Sequence, residues 1–148
     1  MSVYSIRSLN VLLCCAGALA LTGCGTSHLN CDTEHNQSLF KAAVNELVGE
    51  YIASSETLDA TGKTGLMPEI TIREHNQFIV DINAKKCEYF IDARFPHTKD
   101  VVEDVMLSVV FRSTGTNGET HELSEFTIDQ SEGLRLGMAA VQNGKRAD

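Results

Sequence analysis

Between Cys87 and Phe95 the chain alternates so regularly that one conformation accounts for it. Cys87, Tyr89, Ile91, Ala93 and Phe95 are apolar, and Glu88, Asp92 and Arg94 between them are charged. Successive side chains of an extended strand point to opposite faces, so this stretch is a strand with one buried and one polar face. Pro96 stops it, because proline cannot donate to a ladder. A strand of this kind needs neighbouring strands and a cover over its apolar face, which makes the domain a layered one.

Other segments supply neighbours. Val105, Leu107, Val109 and Phe111 form a second inward face. Ile70 and Ile72 alternate with Thr71 and Arg73; Glu74-His75-Asn76 reads as a turn; Phe78, Val80 and Ile82 alternate with Ile79 and Asp81; Lys85-Lys86 reads as the next turn. Thr98 to Asp104 is a polar link with room for one helical turn. Thr114-Gly115-Thr116-Asn117-Gly118 is a hairpin loop whose Asn-Gly pair accepts positive φ. In the strand that follows, His121 and Leu123 have one parity and Phe126 and Ile128 the other, so a bulge near Ser124-Glu125 is expected to restore the register. Leu134, Leu136 and Met138 predict a last strand, Tyr51 to about Leu58 a first one, and the tail from Gln142 is expected to fray.

The cover comes from one helix, predicted from about Thr33 to Val48. Leu39, Ala43 and Leu47 recur every fourth residue with Phe40, Val44 and Val48 beside them, while Lys41, Asn45 and Glu46 face away. Asp32 or Thr33 can cap it, Glu34 suits its positive end, and Gly49 reads as its stop. The expected fold class is therefore α+β: an N-terminal amphipathic helix followed by a curved antiparallel sheet or partly closed barrel of six to seven strands.

The first two dozen residues have a different character. Arg7 is their only charge, and an apolar run from Val11 to Leu21 leads to Leu21-Thr22-Gly23-Cys24. The run is too short to span a hydrocarbon core, which takes about 20 residues. Charge, apolar run and small residues at this spacing are the parts of a secretory signal. The closing quartet resembles the lipobox of bacterial lipoproteins, in which a branched apolar residue and two small ones precede an obligatory cysteine. The resemblance implies cleavage after Gly23 and a diacylglycerol on the Cys24 thiol, with an acyl chain such as palmitate on its amine. Two chains anchor stably, at about 0.8 kcal/mol per buried methylene. It also implies three regions: a signal peptide over 1–23, the lipidated cysteine and a short tether over 24–31, and one globular envelope domain over 32–148. Gly25 follows the cysteine where an aspartate would favour retention in the inner membrane of enteric bacteria, so the periplasmic face of the outer membrane is the expected address.

Of five cysteines, Cys14 and Cys15 leave with the signal and Cys24 takes lipid. Cys31 and Cys87 remain, and an even pair in an oxidising compartment predicts a disulfide. Closing the long loop between them stabilises by roughly 4 kcal/mol in the chain-entropy picture.

Residues that could carry chemistry do not assemble into a recognised frame. His121-Glu122-Leu123-Ser124-Glu125 begins like a zinc-protease helix but has Glu125 where the second histidine belongs, and lies in a predicted strand. The histidines at 28, 35, 75, 97 and 121 are scattered, and Asp100, Glu103 and Asp104 match no calcium loop. Glu88 and Asp92 beside Arg94 read as a salt-bridged face. No enzyme, metal or cofactor is expected. The formal charge is −8, and without Arg7 the chain keeps 20 acidic and 11 basic residues, or −9, which argues against nucleic acid as a partner. The expected function is a non-enzymatic, lipid-anchored protein-binding module whose partner is another envelope protein. Phe90 and Arg94 are its candidate interface residues, because a phenylalanine on a polar strand face calls for a reason. Two alternatives stand beside it. One is an inhibitor or immunity protein of an envelope enzyme, for which acidic charge would complement a basic target. The other is a small-ligand carrier, since Gly49-Glu50-Tyr51 ahead of a strand series resembles lipocalin-like barrels.

Overall fold

The chain builds a helix, an antiparallel meander and a second helix. The computed structural model describes residues 2–4, 29–55, 65–114 and 120–147. Helix α1 runs Glu34–Ser54. Thr33 caps it, its side chain accepting from the Asn36 amide at 3.3 Å. The apolar stripe buries Phe40, Ala43, Val44, Leu47 and Val48 as expected, but the helix does not stop at Gly49. Ile52 continues the Val44–Val48 row one turn further and is buried, and that packing outweighs the roughly 1 kcal/mol a helical glycine costs. Tyr51–Ser54 is thus the last turn of α1 and not a strand; residues 56–58 lie outside the described residues.

Four long strands follow: β2 (Glu69–Asp81), β3 (Ala84–Arg94), β4 (Val101–Thr114) and β5 (Thr120–Ile128). Each pairs antiparallel with its chain neighbour, and a three-residue strand β1 (Ser2–Tyr4) pairs with Phe126–Ile128 of β5. The order β1-β5-β4-β3-β2 leaves an open sheet and not a barrel. The expected six to seven strands merge into fewer because one apparent turn is a bulge. At Glu74-His75-Asn76 the ladder slips by one residue between Ile72 and Glu74 and continues, so β2 is a single strand of 13 residues. The true turn is Ile82-Asn83, not Lys85-Lys86, which pair with Ile79 and Phe78 within the ladder. The link after β3 is tighter than expected: Phe95 and Asp100 close it by a 2.9 Å backbone bond, and residues 101–104 already belong to β4. The bulge expected near Ser124-Glu125 is present, since Val110 pairs with Glu125 and Phe111 with Leu123. The predicted loop at 115–118 lies outside the described residues.

The last segment departs most from expectation. Residues Gln130–Ala147 form helix α2, with Asp129 accepting from the Ser131 amide at its start. Leu134 and Met138, expected inside a strand, are 59% and 55% exposed. The buried row is Gly133, Leu136, Gly137, Ala140, Asn143 and Gly144, a helical period built mostly of small residues. Small size is what the site demands: a Cβ on Gly137 would stand 2.7 Å from Tyr51 Cδ1, so α2 lies directly on the ring that α1 presents. The tail is held rather than frayed. Buried Asn143 accepts from the His97 amide at 2.7 Å and the Thr98 amide at 3.2 Å, and donates to the Leu66 carbonyl.

Both helices cover the same sheet face. Cys87, Tyr89, Ile91, Ala93 and Phe95 are fully buried beneath them with Val105, Leu107, Val109 and Phe111. Among the described residues no helix covers the other face.

Candidate functional sites

The disulfide ties the start of the domain to the sheet. Cys31 and Cys87 are bonded, with Cα atoms 5.7 Å apart. Both are buried, and Leu29 packs into the same core. Around the bond Tyr89 stacks on Phe40 at 4.2 Å and donates its hydroxyl to the Cys31 carbonyl at 2.6 Å. Burial, with the Asp32 carboxylate nearby, raises the Tyr89 phenol well above its ordinary range, which keeps it a neutral donor. Lys85 reaches the Asn30 side chain at 3.0 Å. The start of the domain at Asn30 and Cys31 therefore lies beside the turn end of the β2–β3 hairpin. Cys24 lies outside the described residues.

Phe90 and Arg94 sit where the alternation puts them, on the uncovered face of β3. Phe90 is half-buried and pairs with Met106 on one side and Glu74 on the other, while Arg94 is exposed and pairs with Val101 and Glu69. No helix packs over Phe90, so its neighbours are side chains of the same face. The carboxylates nearby are ion-paired: Glu88 with Lys86 at 2.8 Å, and Asp92 and Asp104 with Arg73 at 3.7 and 3.1 Å. Such exposed pairs contribute about 0–1 kcal/mol each.

The remaining sequence candidates stay dispersed. His121 to Glu125 is extended within β5, and His121 meets His35 with ring centroids 6.2 Å apart. Among the described residues no three His, Cys, Asp or Glu side chains gather as a metal site. Asp100, Glu103 and Asp104 do not converge; Asp104 turns back on Asp92, its amide donating to that carboxylate at 3.1 Å. A shallow cleft of about 200 Å³, lined by Leu47, Glu50, Tyr51 and Ser54, lies along α1; ligand pockets run about 300–1,000 Å³. Gly49 to Tyr51, which suggested a barrel entrance, are helical.

One feature escaped the sequence reading. At the free end of the β2–β3 hairpin Phe78 is 48% exposed, Ile79 84%, Val80 50% and Ile82 80%. Their alternation is that of a strand with one covered side, yet among the described residues no element covers either side.

No family model, no curated protein and no solved structure matches this chain. No helix among the described residues is long and apolar enough to cross a membrane.

Proposed function

We propose that this protein is a bacterial lipoprotein: lipid on Cys24 holds a small non-enzymatic domain at the periplasmic face of the outer membrane, where the domain binds another envelope protein. The lipobox-like Leu21-Thr22-Gly23-Cys24 after an apolar run supports the anchor. The observation that carries the binding role is the uncovered sheet face, where half-buried Phe90 and 39%-exposed Met106 stand together, with Arg94 further along the same face beyond Asp92. Aromatic and arginine side chains on a rigid sheet are what binding hot spots are made of. Cleavage after Gly23 would also remove β1 and turn β5 into an edge strand open to pairing. The carrier alternative loses its main support, since it needs the interior of a closed barrel and the sheet is open with its covered face filled.

The test is cross-linking in growing cells. A photo-cross-linking phenylalanine analogue in place of Phe90 should trap one envelope protein, and Arg94→Ala should weaken that product several-fold. The same analogue in place of Leu134, on the outer side of α2, should not trap it. Equal trapping from both positions would overturn the proposed binding face.

A further inference from the structure

The exposed hairpin tip and the start of the domain at Asn30 and Cys31 are at the same end of the molecule. Asn30 is held by Lys85, which pairs with Ile79, and Cys31 is bonded to Cys87, which pairs with Gln77. From Ile79 to the Ile82-Asn83 turn the hairpin extends about 10 Å, at roughly 3.3 Å per residue. From Leu29 back to Cys24 the chain can span up to about 17 Å. A lipid on Cys24 can thus reach the level of the hairpin tip and no great distance beyond it. Any bilayer that holds the lipid stands within reach of Phe78, Ile79, Val80 and Ile82.

The charge of the tip fits the same partner. From Asn76 to Cys87 the charged residues are Asp81, Lys85 and Lys86, a net positive segment in a chain of net charge −8. Asp81 is neutralised by Arg112 at 3.1 Å on the neighbouring strand β4. With Arg112 on Asp81 and Lys86 on Glu88, the charge of Lys85 remains, and one net positive charge beside four large apolar side chains suits a segment that rests among anionic headgroups.

We propose that the Phe78–Ile82 tip is a second, protein-borne membrane contact, seated in the interfacial layer of the bilayer that carries the lipid on Cys24. The proposal rests on the anchor reading. Its depth is limited by the backbone: among the described residues no strand pairs with the outer edge of β2, and its amides and carbonyls need water or headgroups as partners, so the tip stays out of the hydrocarbon core. Two contacts, one covalent and one from the hairpin, fix the orientation of the domain and turn the Phe90 face sideways, parallel to the bilayer normal.

The chain contains no tryptophan, so one introduced indole reports its own surroundings. Full-length Ile79→Trp and Leu134→Trp, purified from membranes and checked to melt like wild type, are reconstituted into phosphatidylethanolamine–phosphatidylglycerol vesicles with brominated acyl chains. The Ile79→Trp emission should shift to the blue and be quenched several-fold more than that of Leu134→Trp. Equal, weak quenching at both positions overturns the proposal. A blue shift without bromine quenching that grows with protein concentration also overturns it, and assigns the tip to a second copy pairing along β2. Palmitate labelling of the same preparations separates the two readings. Labelled protein with an unquenched indole leaves the anchor standing and removes the hairpin contact. Unlabelled protein removes the anchor; quenching that persists then shows the tip binding lipid unaided, and quenching that vanishes takes the proposal with the anchor.

Discussion

The two halves of strand β2 differ more than any two elements of the fold. Ile70, near its start, is buried and packs with Ile72 against the core under the helices, while Ile79 and Val80, near its end, are 84% and 50% exposed. Both halves pair with β3 and each has one register shift, after Ile72 and after Ile79, so the ladder does not distinguish them. What differs is the cover. Over the first half α1 and α2 lie on the sheet; beyond the Cys31–Cys87 bond β3 stays paired with β4, and among the described residues no helix lies over the end of β2. Apolar residues in the first half stabilise the fold, and those in the second are free to serve another purpose, because removing them costs the fold little.

That comparison can be broken by substitutions on either side. The largest effect is expected from Leu47→Asp, which places a charge in the covered core; the loss should be about 4–5 kcal/mol, enough to unfold a domain of ordinary stability. A variant that melts like wild type would mean the helix stripe is not a core face. Removing the disulfide with Cys31→Ser and Cys87→Ser together should cost up to about 4 kcal/mol for a sequence separation of 56, and would also release the start of the domain from the hairpin. Chemical denaturation under oxidising and reducing conditions gives the same difference by another route. Gly137→Ala should destabilise by about 1–3 kcal/mol, since its Cβ would overlap the Tyr51 ring; a neutral result would mean the helices can separate at no cost. At the hairpin, Ile79→Asp should move stability by no more than about 0.5 kcal/mol. A large loss there would erase the distinction between the halves.

The same contrast explains what could be read from the sequence. Cys87 to Phe95 was legible because every second side chain is buried by one cover, and the disulfide was legible because the lipobox resemblance set Cys14, Cys15 and Cys24 aside and left Cys31 and Cys87. The parity change at Phe126 identified the β5 bulge, whereas the equivalent slip after Ile72 looked like a turn because Glu74, His75 and Asn76 are all turn-compatible residues. Helix α2 was missed for a physical reason. Its buried row has one large apolar residue, Leu136, among glycines, Ala140 and Asn143 that add little hydrophobic signal, and two other visible apolar residues, Leu134 and Met138, face solvent. Phe90 was legible as an anomaly on the polar face of β3, and it lies half-buried on that face. The hairpin tip was not, because alternating Phe78, Val80 and Ile82 carry the pattern of a half-buried strand, and pattern alone does not say whether a cover exists.

Everything proposed for function depends on where the chain is held. Metabolic labelling with palmitate tests this directly, on the full-length protein and on Cys24→Ala. The account predicts label on the wild type, recovered with the envelope membranes, and none on the variant. Equal labelling of both, or none on either, would contradict it.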